Sequence, residues 1–319
     1  MENNVQRPTR VAIVGAGNVG ATAAYALALN GAASEIVLID ATRARAEGEA
    51  MDLNHAMPFM RPVRVWAGDY GDCNGADIVI LAAGAGQRPG ETRLDLLRRN
   101  MAVFQEIVPR ICEQTREAIL LIATNPVDVL TFAAWKMSGL PATRVIGSGT
   151  ILDTARFRHL LSQHFGVDPR SVHAFIIGEH GDSEVAAWSL ANIAGMKLDD
   201  YCRLNDWTLS NDDKAGIFRN TRMAAYEIIS RKGATYYAIA AGLVRIVEAI
   251  IRNENSVLTI SVLVQGKYGV EDVYLSLPSI VNRNGLDRVL HLPLDPLEEQ
   301  SLRNSARLLS DALNSLTLG

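Results

Sequence analysis

The sequence predicts an α/β fold, a doubly wound parallel sheet followed by a second α+β unit, and three observations predict it. Short runs apolar on both faces alternate with helix-length amphipathic stretches over residues 1–148. A glycine-rich turn follows the first of those runs. After Gly149 the texture changes to long helical patterns and paired β segments. With 319 residues, 48% of them apolar and 21% charged, the chain can bury a large core and does not read as disordered.

The runs Val11 to Val14, Glu35 to Asp40, Val63 to Ala67, Ile78 to Ala83, Ile119 to Ala123 and Arg144 to Gly147 are strands of a sheet covered on both sides. Between them Val19 to Asn30, Leu94 to Thr115 and Val127 to Met137 have the length and patterning of crossover helices. A helix over 151–165, a run Val172 to Gly178, and helical patterns over about 205–232 and 236–252 open the second half. Val257 to Val264 and Asp272 to Leu277, separated by Gly266 and Gly269, predict an antiparallel hairpin. A helical pattern over 296–316 closes the chain. The two domains are expected at 1–148 and 149–319, without a linker and with an extensive interface.

Several function classes fall away. The net charge is −4 and the basic residues are scattered, so no basic stripe offers itself to nucleic acid. The most apolar stretch, Ala238 to Ile251, is broken by Arg245 and Glu248, so no membrane span is expected. A polar start without an apolar signal core points to the cytoplasm. Cys73, Cys112 and Cys202 are odd in number and far apart, and fit reduced thiols rather than disulfides or zinc. Ser148 stands in Gly-Ser-Gly rather than Gly-x-Ser-x-Gly, and no phosphate loop or metal-ligand spacing occurs.

Gly15-Ala16-Gly17-Asn18-Val19-Gly20 follows the first strand and opens a helix, and Asp40 ends the next strand 20 residues beyond Gly20. Gly15, Gly17 and Gly20 permit a tight turn and close backbone approach, so a pyrophosphate can sit at the helix N-terminus beside Val19. Alone, such a motif could mark a turn that merely needs glycine, and Asp40 could be a helix cap. In register they define a Rossmann dinucleotide site in which Asp40 accepts from the ribose diol and repels a 2′-phosphate, favouring NAD over NADP.

A nicotinamide implies hydride transfer, which needs a proton donor, a substrate anchor and help for a developing oxyanion. His180, in Gly178-Glu179-His180-Gly181-Asp182, is the one histidine of six set between glycines on a turn after an apolar run. Asp153 and Arg156 share a helix face at i, i+3. Either they form a surface ion pair, or Asp153 takes the second ring N–H of His180 while Arg156 clamps a substrate carboxylate. The glycine-rich segment from Gly84 to Arg93 reads as a mobile lid that delivers Arg93 to a substrate carbonyl, the alternative being a solvated basic loop.

Five motifs together resemble the lactate/malate dehydrogenase family, most closely its bacterial L-lactate members. They are Gly-Ala-Gly-Asn-Val-Gly at 15–20, Gln-Arg-Pro-Gly-Glu-Thr-Arg-Leu-Asp-Leu at 87–96, Thr-Asn-Pro-Val-Asp at 124–128, Gly-Ser-Gly-Thr-Ile-Leu-Asp-Thr-Ala-Arg-Phe-Arg at 147–158 and Gly-Glu-His-Gly-Asp at 178–182. The resemblance implies reversible hydride transfer between NADH and pyruvate giving L-lactate. His180 is then the acid/base, Asp153 its partner, Arg156 the carboxylate clamp, Arg93 the carbonyl-polarising residue, and Asn125 a neighbour of nicotinamide and substrate. It also assigns substrate choice to Gln87, where malate enzymes carry arginine, and to Thr235. A second substrate carboxylate beside neutral Gln87 would be buried without a charge partner.

Gly86 departs from the Asn or Arg usual at its position, and a register change could present Arg88 to a dicarboxylate. Malate dehydrogenase is therefore the nearest alternative, and a non-catalytic dinucleotide-binding protein the alternative from another class. By the same resemblance Arg158 and His173 match a fructose 1,6-bisphosphate site, against the alternative of a solvated arginine and a core histidine. A homotetramer is implied as well.

Overall fold

The computed structural model describes residues 8–86 and 93–315. The first half carries β1 (Arg10–Val14), α1 (Asn18–Asn30), β2 (Glu35–Ile39), α2 (Arg43–His55), β3 (Arg64–Ala67) and β4 (Ile78–Leu81). After them come α3 (Arg93–Gln114), β5 (Ile119–Ile122), α4 (Val127–Ser138) and β6 (Val145–Gly147). Apolar side chains on both faces of β1, β2, β4 and β5 are buried, as strands covered by helices on two sides require.

The six strands pair in parallel in the order β3-β2-β1-β4-β5-β6. The winding reverses between β1 and β4, and in such sheets the crevice beyond the strand ends at the reversal is where ligands bind. The C-terminal strand ends lead into residues 15–20, 40, 82–86 and 123–125, so the predicted cofactor residues share one edge of the sheet.

The second half runs α5 (Ile151–Phe165), β7 (Val172–His173), β8 (Ile176–Ile177), β9 (Val185–Ala186), β10 (Asn192–Ile193), β11 (Met196–Lys197) and α6 (Leu198–Leu204). Then follow α7 (Asn211–Lys232), α8 (Tyr237–Ile251), β12 (Ser256–Val264), β13 (Val273–Asn282), β14 (Gly285–Val289) and α9 (Pro296–Asn314). The expected hairpin is present as antiparallel β12 and β13, and β14 adds a third strand that the sequence reading lacks. These strands extend the parallel sheet through a pairing of Ser261 with Gly147, so one nine-stranded sheet runs through both halves.

Two expectations need correction. The run Val172 to Gly178 is not one strand, because β7 pairs with β10 while β8 pairs with β9. The helical pattern from residue 205 begins only at Asn211, where Ser210 and Asp213 cap each other's backbone, and α6 is a separate short helix before it. A large core formed by both halves includes Phe104, Ile246 and Tyr274, and a smaller one packs Phe157, Phe165 and Val172 around α5.

Candidate active site

The first part of the site is backbone. Gly15 has φ +105°, and its N–H donates to Ile39 O at 2.7 Å. A Cβ there would stand 2.4 Å from Ala83 N, and one on Gly20 would stand 1.8 Å from Gly15 O. Only glycine lets the turn fold this tightly between β1, β4 and α1. Gly17, at the mouth of α1, is different: a Cβ on it would meet nothing within 4 Å. Bare backbone at a helix N-terminus is the surface a pyrophosphate fits, since the first-turn N–H groups and the helix dipole favour negative charge. Val19 lies half-buried against the core.

Asp40 fastens this turn. Its Oδ2 accepts from Ala16 N–H at 2.8 Å and its Oδ1 from Thr42 N–H at 2.8 Å. The N-cap of α2 is Thr42, so helix capping does not explain Asp40. Each carboxylate oxygen has a further lone pair, which leaves it able to accept from a ribose diol.

The strand ends next to it are tied by a residue the sequence reading did not single out. Asn100, buried on α3, accepts from Ala85 N–H at 2.8 Å and donates to Asn125 O at 2.8 Å. It thereby joins the start of the segment after β4 to the turn after β5. Asn125 itself is exposed. Gln87, Arg88 and the side chain of Arg93 lie outside the described residues.

The second part of the site is a cluster of side chains gathered around one buried carboxylate. His180 Nδ1–H donates to Asp153 Oδ2 at 2.5 Å, and Arg156 Nη1 donates to Asp153 Oδ1 at 2.8 Å. Asp153 is 3% exposed, so its bond to Arg156 is not a surface ion pair; one carboxylate serves both partners. Because a carboxylate only accepts, Nδ1 carries a proton and Nε2 is left to exchange one. Burial alone would push the Asp153 carboxyl up, but the charges and hydrogen bonds of His180 and Arg156 hold it below the usual value. Burial likewise works against protonated His180, yet Asp153 outweighs it, with Asp128 and Glu184 adding, and raises the imidazole to about 9.

Two further residues hold the histidine turn and a third lies beside it, and none was given a role from the sequence. Asp128, in the first turn of α4 and 2% exposed, accepts from the backbone N–H of His180 at 2.8 Å and from Ser261 Oγ at 2.6 Å. Ser305 of α9 accepts from Glu179 N–H at 2.8 Å on the other side of the turn. Glu184 is buried, and its Oε1 finds no hydrogen-bond partner among the described residues. Burial and the nearby Asp153 charge push the Glu184 carboxyl up to about 8.

Thr235 is half-buried between α7 and α8. Arg158 is half-buried on α5, where burial lowers its guanidinium, and His173 is exposed on β7, not a core histidine.

Fold and cluster together define a dinucleotide-dependent oxidoreductase, with a cradle for pyrophosphate at one place and an imidazole–carboxylate–guanidinium group at the other. Residues 9–147 match the NAD-binding domain of lactate/malate dehydrogenase, and residues 150–317 match the α/β C-terminal domain of the same family. The chain therefore belongs to the lactate/malate dehydrogenase family, and NAD is its cofactor.

It is 54% identical over 316 residues to an L-lactate dehydrogenase of Acetivibrio thermocellus, covering 99% of this chain and 100% of that one. It is 52% identical over 301 residues to an L-lactate dehydrogenase of Priestia megaterium, covering 94% of each. Among solved structures, the ligand-bound minor L-lactate dehydrogenase of Enterococcus mundtii superposes with a TM-score of 0.94 at 44% identity, covering 98% of this chain and 99% of the other.

Proposed function

We propose that the protein is an L-lactate dehydrogenase that reduces pyruvate with NADH and runs in reverse on L-lactate. The observation that carries this is the bond from half-buried His180 Nδ1 to buried Asp153, with Arg156 on the same carboxylate. The L-lactate dehydrogenases that match nearly the full chain support the choice of substrate.

The residues of the cradle fit the dinucleotide: Gly15 and Gly20 shape the turn, Gly17 bares the helix end, and Asp40 accepts from the ribose. When bound, the nicotinamide supplies or takes the hydride. His180 holds the proton that goes to the substrate carbonyl oxygen, and Asp153 keeps that proton on the ring near neutral pH by stabilising the charged imidazolium. Arg156, with one N–H spent on Asp153, offers its remaining N–H groups to the substrate carboxylate. Asn125 lines the nicotinamide side and Thr235 bounds the methyl end, and the reading gives substrate choice to Gln87 and the substrate carbonyl to Arg93.

The finer parts of this reading are a domain boundary at residue 148, cytoplasmic residence, a homotetramer, and activation by fructose 1,6-bisphosphate at Arg158 and His173. Among the described residues no helix is long and apolar enough to cross a membrane, and the three cysteines are free. Exposed apolar side chains on α1, α2 and α7, among them Leu29, Met51, Met223 and Ile229, support assembly with further copies. The half-buried guanidinium of Arg158 and the exposed imidazole of His173 are the groups this reading gives to a bisphosphate arriving from solvent.

The test is the rate of NADH oxidation with pyruvate against oxaloacetate. Pyruvate is expected to be the faster substrate, and an equal or faster rate with oxaloacetate overturns the assignment. Sedimentation velocity reads the assembly, and an unchanged pyruvate saturation curve on adding fructose 1,6-bisphosphate removes the regulatory part.

A further inference from the structure

Asp128 is a fully enclosed acid on the wrong side of the chain to be explained by its own half. It sits in the first turn of α4, three residues past Asn125, yet its two oxygens are spent on the second half of the molecule. One accepts from the His180 backbone N–H at 2.8 Å and the other from Ser261 Oγ, 133 residues away in sequence, at 2.6 Å. A structural hydrogen bond to a backbone N–H needs only a neutral acceptor. A buried carboxylate is costly unless its charge is used.

We propose that Asp128 is a positioning residue of the reaction, which docks the histidine turn onto the nicotinamide side of the sheet and, through its negative charge, helps His180 keep its proton. The proposal rests on His180 being the acid/base.

The groups facing His180 are Asp153 from α5, Asp128 from α4 and Glu184 from its own turn, while Arg156 of α5 pairs with Asp153. Glu179 faces Asp128 from the same turn, and Arg222 of α7 faces Glu184. Asp153 is the largest influence that keeps the proton on His180, and the charge on Asp128 adds to it. Burial raises the Asp128 carboxyl, and the bonds from Ser261 and His180 hold it to about 6, which leaves it ionised at neutral pH. An anion beside the imidazole favours the imidazolium, so removing it lowers the pH at which His180 loses its proton.

The experiment is a pair of pH–rate profiles, pyruvate reduction and L-lactate oxidation, for the wild type, Asp128→Asn and Ser261→Ala. Asparagine keeps an acceptor for the His180 N–H and removes the charge. The expected result is that the alkaline limb of pyruvate reduction and the acid limb of lactate oxidation both move down, by about one pH unit for Asp128→Asn. The KM for pyruvate is expected to rise while NADH affinity stays within about twofold, as docking of the turn predicts.

Ser261→Ala leaves the charge in place but removes a bond that favours it, so the same limbs move the same way by less. If Asp128→Asn does not fold, Ser261→Ala decides alone. Profiles that stay put in active variants overturn the proposal. A His180→Asn protein that still reduces pyruvate fails the underlying assignment instead, which keeps the two outcomes separate.

Discussion

The cofactor cradle and the histidine cluster are built on opposite plans. The cradle is made of backbone: three glycines from one six-residue stretch, with a single carboxylate pinning the turn. The cluster is made of side chains drawn from α4, α5, the turn after β8, β12 and α9, held by bonds that span up to 133 residues. The first is a local sequence property that tolerates no Cβ at Gly15 or Gly20. The second depends on tertiary packing, and its chemistry is set by which charges are enclosed together.

The sharpest break between the two comes from His180→Asn. It is expected to lower the rate of pyruvate reduction by about 10³-fold while NADH still binds, because proton transfer is lost and the cradle is untouched. Stopped-flow turnover with fluorescence titration of NADH reads both; a parallel loss of NADH binding would mean that the two regions are not separable.

Gly15→Ala should do the reverse. Its Cβ meets Ala83 backbone and its φ lies in the left-handed half of the map, so a destabilisation of about 3 kcal/mol and weakened NADH binding are expected. Thermal unfolding with and without NADH checks this, and an unshifted midpoint would show that the turn relaxes.

Arg156→Lys keeps the charge but loses the planar fork. The expected effect is a fall of about 10²-fold in kcat/KM for pyruvate with NADH affinity unchanged. The smallest effect belongs to Asp40→Ser, which should relax the preference for NADH over NADPH by about tenfold, measured as the ratio of kcat/KM values.

The same contrast governs what could be read from the residues. The strands β1, β2, β4 and β5 announce themselves because both faces are apolar, and the glycine turn and Asp40 lie within one short stretch with fixed spacing. His180, Asp153 and Arg156 were legible from residue type and position on a turn and a helix face. Helix α2 was not, since only Ala46, Ala50 and Leu53 of its thirteen residues are buried. Edge strand β14 is half solvated and gave no continuous apolar run. Asp128, although inside the motif at 124–128, and Ser261, Ser305, Asn100 and Glu184 were given no role for another reason. Each is an ordinary polar residue whose meaning comes only from a partner brought close by folding.

Where the halves meet, the seam is narrow to the point of contact. A Cβ on Gly149 would stand 2.4 Å from Ser261 N and 2.8 Å from Ile260 C, and one on Gly147 would stand 2.9 Å from Ser261 Cβ. Backbones pressed that close, inside a hydrogen-bonded sheet, leave no slack for two lobes to swing about the join. A molecule welded along this line keeps the cofactor edge of the sheet and the histidine turn in one fixed register.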